Sequence, residues 1–125
     1  MDIQRKSPLI AIVDDDESVR NAVHGVLKSV GMRAQMFASA EEFLNSGQQE
    51  ATGCLITDIQ MPKMTGFELL VRLTQSDNRI PVIVITGHGT AKMRKQAMKA
   101  GVIAFLEKPF DDEVLLENVR VALQN

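Results

Sequence analysis

A single α/β domain, five parallel strands alternating with five helices, is the fold this sequence predicts, and three observations predict it. Five short apolar runs (Leu9 to Val13, Arg33 to Phe37, Cys54 to Thr57, Val82 to Thr86 and Val102 to Leu106) alternate with stretches of helical period. Such alternation is the pattern of a parallel sheet covered by helices. Four of the runs are almost continuously apolar, as strands buried on both faces are. The chain also has the size and balance of one domain, with 125 residues, 45% apolar, 24% charged and a net charge of -2, enough apolar surface to offset the entropy of ordering it.

The first strand, Leu9 to Val13, stops at four consecutive acids, Asp14 to Glu17. Val19, Ala22, Val23, Val26, Leu27 and Val30 then recur at three- and four-residue steps, one helical stripe closed by Gly31. Asp16 and Glu17 fall at that helix's N-terminus, where acids are favoured. In the second run Arg33, Ala34, Gln35 and Met36 alternate, which predicts an edge strand. Ser39 with Glu42, and Thr65 with Glu68, have capping-box spacing and open the second and third helices. A fourth helix covers Ala91 to Ala100 and is closed by Gly101. The last begins after Pro109, with Asp111, Asp112 and Glu113 complementing its dipole, and runs to the chain end. Residues 1–7 read as an extension and 8–125 as the domain.

Composition excludes several classes. No apolar run approaches the roughly 20 residues that cross a bilayer, and a secretory leader needs a longer apolar core than Leu9 to Val13. The single cysteine, Cys54, makes no internal disulfide and reads as a small core residue, which points to the cytosol. Fourteen basic against sixteen acidic residues give no overall attraction to nucleic acid.

In open α/β sheets ligands bind beyond the carboxyl ends of the strands, where strand order reverses. The first strand delivers Asp14, Asp15, Asp16 and Glu17 there, the third Asp58, the fourth Thr86, Gly87 and His88, and the fifth Lys108 and Pro109. The second ends without an ionisable group. If the first and third strands are neighbours, about 4.8 Å apart, then Asp14, Asp15 and Asp58 share one site. Two carboxylates about 4 Å apart repel by roughly 4 kcal/mol at an effective dielectric of about 20, so the cluster calls for a cation. Oxygen-only ligands favour a hard ion such as Mg²⁺. A carboxylate beside Mg²⁺ is a competent phosphoryl acceptor, the Lys108 stem is long enough to bring an ammonium to a phosphate, and Thr86 offers a hydroxyl donor.

The run Ile12-Val13-Asp14-Asp15-Asp16, the segment Thr57-Asp58-Ile59-Gln60-Met61-Pro62-Lys63-Met64-Thr65-Gly66, then Thr86-Gly87 and Lys108-Pro109-Phe110 resemble the receiver domains of bacterial two-component response regulators. The resemblance spans residues 8–125. It implies a flavodoxin-like sheet of order 2-1-3-4-5 and phosphorylation of Asp58 by a histidine kinase or phosphotransfer protein. It further implies that Asp15, Asp58 and the backbone carbonyl of Gln60 ligate Mg²⁺, that Asp14 acts through water, and that Lys108 binds the phosphoryl group ahead of a cis peptide at Pro109. X-Pro is the bond where cis costs least. The family's switch implies movement of Thr86 and inward rotation of Phe105, where many relatives carry tyrosine. Similar receivers with a Thr-Gly-His-Gly stretch precede LuxR-like helix-turn-helix output domains.

Other residues carry two readings. His88 either lines the pocket mouth, where the resemblance implies that it and Gln60 are candidate modulators of dephosphorylation, or is an exposed loop histidine. His24 falls off the first helix's stripe. Met61, Met64, Met93 and Met98 read as core filler, with Met61 and Met64 also placed to meet a partner. Lys92, Lys95 and Lys99 form a basic face on the fourth helix, while Asp112, Glu113 and Glu117 accompany exposed Val114 and Val121 on the fifth. This pattern fits either a symmetric dimer formed on phosphorylation through the fourth helix, fifth strand and fifth helix, or a solvated mixed-charge surface. Two competing functions use the same residue types. A haloacid-dehalogenase-type phosphatase needs an Asp-x-Asp-x-Thr/Val motif that Asp14-Asp15-Asp16-Glu17-Ser18 matches only in its spaced acids, and 125 residues leave little room for a cap domain. A nucleotide-binding module needs a Gly-rich loop where this chain has acids.

Overall fold

The computed structural model describes residues 7–76 and 79–124. Of the expected extension only Ser7 falls among them, and Asn125 lies outside them. The elements, in chain order, are β1 (Leu9–Val13), α1 (Glu17–Ser29), β2 (Ala34–Phe37), α2 (Ala40–Leu44), β3 (Thr52–Thr57), α3 (Gly66–Gln75), β4 (Val82–Thr86), α4 (Ala91–Lys99), β5 (Ala104–Glu107) and α5 (Asp112–Gln124). All five strands are parallel in the order β2-β1-β3-β4-β5, the flavodoxin-like doubly wound arrangement. Strand β2 is an edge, as its alternation predicts, with exposed Gln35 and Met36.

Side-chain alternation along the buried strands divides the core into two layers. Ala11, Val13, Leu55, Val82 and Val84 pack with Phe43 of α2, Leu69 and Leu73 of α3 and Ala97 of α4. On the other face Ile10, Ile12, Cys54, Ile56, Ile83 and Ile85 pack against Val23 and Leu27 of α1 and Leu115, Leu116 and Val119 of α5. Each such side chain, fully withdrawn from water, contributes roughly 1.5–3 kcal/mol before entropy is subtracted. Cys54 is part of this core, and burial pushes its thiol pKa up to about 12, which leaves it inert.

Local signals fix the helix ends. Asp16 caps α1 by accepting from the backbone N–H groups of Ser18 (2.9 Å) and Val19 (3.4 Å). These bonds and the Ser18 hydroxyl hold its carboxyl below the usual carboxylate range. Helix α3 has a complete capping box between Thr65 and Glu68. In α2 the box is half formed: Ser39 Oγ accepts from Glu42 N, but Glu42 Oε1 accepts from Ala38 N. Gly31 and Gly101, at φ 77° and 94°, sit just past the ends of α1 and α4, where only glycine is unstrained.

Three expectations need correction. Helix α1's stripe is narrower than predicted: Val23 and Leu27 are buried, while Ala22 and Val30 are exposed; Val19 and Val26 are partly buried against the same core, and Val30 is the C-cap beyond the last turn. Met98 is 45% exposed and fills no core; on α4 the buried position is Ala97. Strand β5 starts at Ala104 rather than Val102 because the chain is still unwinding from α4 there, with Val102 N donating to Ala97 O at 3.3 Å. Helix α1 also carries Gly25, around which a Cβ would meet nothing within 4 Å. Gly25→Ala should therefore stabilise the protein by about 0.5–1 kcal/mol, through lost freedom of the unfolded chain, as read by urea unfolding.

Candidate functional site

The order reverses between β1 and β3, and the chemistry collects at their carboxyl ends. In-register pairing of Val13 with Thr57 sets the following acids side by side. Asp14, Asp15 and Asp58 each offer a carboxylate oxygen within 4.8 Å of the others. Asp14 and Asp58 are buried, at 3% and 5% exposure, and Asp15 faces solvent.

Each buried carboxylate is held at both ends. Asp14 accepts from Asp16 N at 2.9 Å and Asp58 from Gln60 N at 3.0 Å. Their free oxygens meet at Lys108, whose Nζ lies 3.1 Å from Asp14 Oδ2 and 2.8 Å from Asp58 Oδ2. The lysine directly follows β5, and its peptide bond to Pro109 is cis. Its backbone N–H donates to Thr86 O at 2.9 Å, and its stem runs beside Gly87, where a Cβ would make ordinary contact with Lys108 Cδ at 3.6 Å.

Burial pushes the Asp14 carboxyl above its ordinary value, against the lowering effect of the Asp16 N–H and Lys108, and nearby Asp58 raises it further. For Lys108 burial opposes the charge, but the hydrogen bonds to Asp58 and Asp14 outweigh it and hold the ammonium above its usual range. A carboxyl raised in the folded state contributes its full stability below its unfolded value of 3.8 and loses it as pH rises through the folded value. At pH 7 ionised Asp14 therefore weakens the metal-free protein. Asp14→Asn should raise the urea midpoint in EDTA at pH 7, and the gain should shrink toward pH 4.

The donor set is made of oxygens only and carries three negative charges against one lysine. It suits a hard divalent cation, which supplies the compensation that the single Lys108 leaves incomplete. One further atom is unmatched. Thr86 is fully buried, and its Oγ1 has no hydrogen-bond partner. Leaving such a group unpaired costs about 1–3 kcal/mol. His88 is exposed on the following loop. Phe105 is turned in, 4% exposed, while Met61 is core and Met64 packs against it.

Sequence reasoning missed three participants. Arg20 Nη1 donates to Asp14 O at 2.7 Å, bracing the first acid from α1. A Cβ on Gly66 would lie 2.5 Å from Asp58 O and 2.8 Å from Ile59 Cα, so α3 starts against the backbone of the third acid. Arg94 meets Phe105 through both its carbonyl and its ring. Gly66 alone stood inside a recognised segment. The partners of Arg20 and Arg94 are a backbone oxygen and a ring, which no spacing rule reveals.

A family model, the response regulator receiver domain, matches residues 10–120. The chain belongs to the response regulator receiver family. Among curated relatives, this receiver domain is 45% identical over 116 residues to the response regulator protein TmoT of Ectopseudomonas mendocina, covering 93% of the chain and 53% of TmoT. To the transcriptional regulatory protein FixJ of Rhizobium meliloti (strain 1021) it is 44% identical over 116 residues, covering 93% of the chain and 57% of FixJ. The receiver domain thus spans about half the length of these relatives. The crystal structure of FixJ-N superposes with a TM-score of 0.85 at 41% identity, covering 97% of each chain. The structure of response regulator StyR gives 0.87 at 42% identity, covering 95% of this chain and 60% of that one.

Proposed function

We propose that this receiver domain accepts a phosphoryl group on Asp58 in an Mg²⁺-dependent reaction and passes the resulting change to its α4-β5-α5 surface. The observation that supports this most is the meeting of Asp58 with Asp14, Asp15 and Lys108 at the sheet's reversal point, with the unpartnered hydroxyl of buried Thr86 on the residue whose backbone oxygen accepts from Lys108 N. Asp15, Asp58 and the Gln60 carbonyl are the direct metal ligands in this reading, and Asp14 acts through water. With Mg²⁺ bound, the repulsion between an incoming phosphoryl group and the carboxylates is offset.

The chain's own groups do the rest. One Asp58 oxygen forms a bond to phosphorus as the bond from phosphorus to a kinase histidine nitrogen, or to the acetate of acetyl phosphate, breaks; the leaving group departs with those electrons. Lys108 exchanges its contact with the Asp58 oxygen for a phosphoryl oxygen, and Thr86 Oγ1 donates to another. Phe105 and Thr86 both border Gly89 and change packing together, so phosphorylation acts as a population shift of α4 and β5. A phenylalanine here carries the packing change without any hydroxyl-mediated step. Gln60 and His88, exposed at the mouth, tune the attack of water that ends the cycle.

The domain comprises residues 8–125 after a short extension, resides in the cytoplasm, and is phosphorylated by a sensor histidine kinase or phosphotransfer protein. Among the described residues no helix is long and apolar enough to cross a membrane. Control of transcription would run through an output domain, as the name of FixJ and its greater length suggest, with no nucleic-acid contact by this domain itself. Lys92, Lys95 and Lys99 on α4, and Asp112, Glu113 and Glu117 on α5, are exposed beside Val114 and Val121, which are 43% and 44% exposed. They support a phosphorylation-induced symmetric dimer, which beryllofluoride should produce in sedimentation at low salt; a monomer throughout would end that part of the reading.

Acetyl phosphate with Mg²⁺ should leave one acid-stable, hydroxylamine-labile phosphate per chain. Continuous release of phosphate from small phosphomonoesters would instead mark a multiple-turnover phosphatase and contradict the proposal.

A further inference from the structure

The structure assigns Arg94 as a positioning residue that holds Phe105 inward and so ties α4 to the Thr86 side of the pocket; its bearing on signalling rests on the proposed phosphoacceptor role. Arg94 lies in the first turns of α4, its N–H bonded to Thr90 O at 2.9 Å. Its side chain does not join the basic stripe of Lys92, Lys95 and Lys99. Nη1 donates to Phe105 O at 3.3 Å, and the guanidinium carbon stands 5.9 Å from the centroid of the Phe105 ring. One side chain thus grips one residue at two points, a geometry that suits a planar guanidinium with its fork of N–H donors better than a compact ammonium.

The ring is confined at its edge as well. A Cβ on Gly89 would fall 2.8 Å from Phe105 Cε1, 2.9 Å from Cζ and 2.9 Å from Thr86 Cγ2. The backbone of the β4-α4 loop, the ring edge and the threonine methyl therefore meet in a space smaller than one methyl group. A ring swung out toward solvent leaves that space and the face that Arg94 covers. Arg94 accordingly binds one ring position in preference to the other, which is what a residue must do to bias a two-state equilibrium. Because its anchor is α4, displacement of that helix loosens the ring, and an outward ring frees Thr86.

The test labels the protein with 4-fluorophenylalanine and follows the Phe105 ¹⁹F resonance, identified by its loss in Phe105→Leu. It is run on the metal-free, unphosphorylated full chain, so it does not depend on phosphoryl chemistry. Arg94→Ala should move that resonance toward the solvent-exposed position and increase its broadening by a soluble paramagnetic agent, while the other four phenylalanine signals stay in place. Arg94→Lys should fall between. Gly89→Ala, which pushes on the ring edge, should shift it in the same direction. With Mg²⁺, Arg94→Ala should raise the beryllofluoride midpoint about two- to five-fold, and the effect should vanish in a Phe105→Leu background. An unmoved Phe105 signal in Arg94→Ala, or an undiminished Arg94 effect without the ring, would overturn the inference. Failure of every variant and of the parent to bind beryllofluoride would count against the phosphoacceptor reading alone, since the ring signal still decides the role of Arg94.

Discussion

Asp58→Asn should abolish Mg²⁺-dependent labelling by acetyl phosphate, a loss of about a hundred-fold or more. An amide oxygen is a poor nucleophile and forms no stable acyl phosphate. The substitution keeps the shape of the side chain and one acceptor for the Gln60 N–H, which lies 3.0 Å away in the parent, so the loop should hold its course. Lys108 retains Asp14 at 3.1 Å as a partner. The variant should also fold well, because it removes a charge that raises the pKa of neighbouring Asp14; its thermal midpoint in EDTA should equal or exceed the parent's. That control separates loss of the nucleophile from loss of the fold. Hydroxylamine-labile labelling at parental levels in Asp58→Asn would refute the assignment.

Gly66→Ala carries the second large effect, and it reaches the site through the backbone. The added methyl would lie 2.5 Å from Asp58 O, 2.8 Å from Ile59 Cα and 3.1 Å from Asp58 C. None of these atoms ends a flexible side chain, so the chain itself must move. Gly66 N donates to Ile59 O at 2.9 Å, and the methyl forces the two strands of this turn apart just where that bond joins them. Overpacking of this kind costs about 1–3 kcal/mol, which lowers the melting temperature by about 5–15 °C in a domain of this size. Since the displaced backbone carries Asp58, Mg²⁺ affinity should fall with it. Gly25→Ala, in open space, should do neither, and the pair makes a comparison at constant chemistry. A Gly66→Ala protein with parental melting temperature and Mg²⁺ affinity would show that the approach of α3 to Asp58 is not a constraint.

The residues legible beforehand were those whose role follows from position along a strand. Asp14, Asp58, Thr86 and Lys108 each come just at or past the end of an apolar run, and a parallel sheet gathers those ends at one edge. Asp16 and Thr65 were readable as caps because capping is local. Where apolar continuity was the sole guide, boundaries drifted. Strand β3 begins at Thr52, two residues earlier than the run from Cys54, because Thr52 pairs with Leu9 without looking apolar and the register shifts past Gly53 before Cys54 pairs with Ile10. Strand β5 extends to charged Glu107, paired with Thr86. Arg20, Gly89 and Arg94 were illegible for a different reason: they meet a backbone carbonyl, a ring edge or a methyl, groups that carry no residue-type signal, and only the folded packing of α1, the β4-α4 loop and α4 brings them together.

Reductive trapping locates the phosphorylated side chain itself. Borohydride converts an aspartyl phosphate to homoserine, and peptide mass spectrometry then locates it. After acetyl phosphate and Mg²⁺ treatment, homoserine should appear at position 58 alone and should be absent when EDTA replaces the metal. Homoserine at Asp14 or Asp15, or formation at position 58 to the same extent in EDTA, would contradict the account.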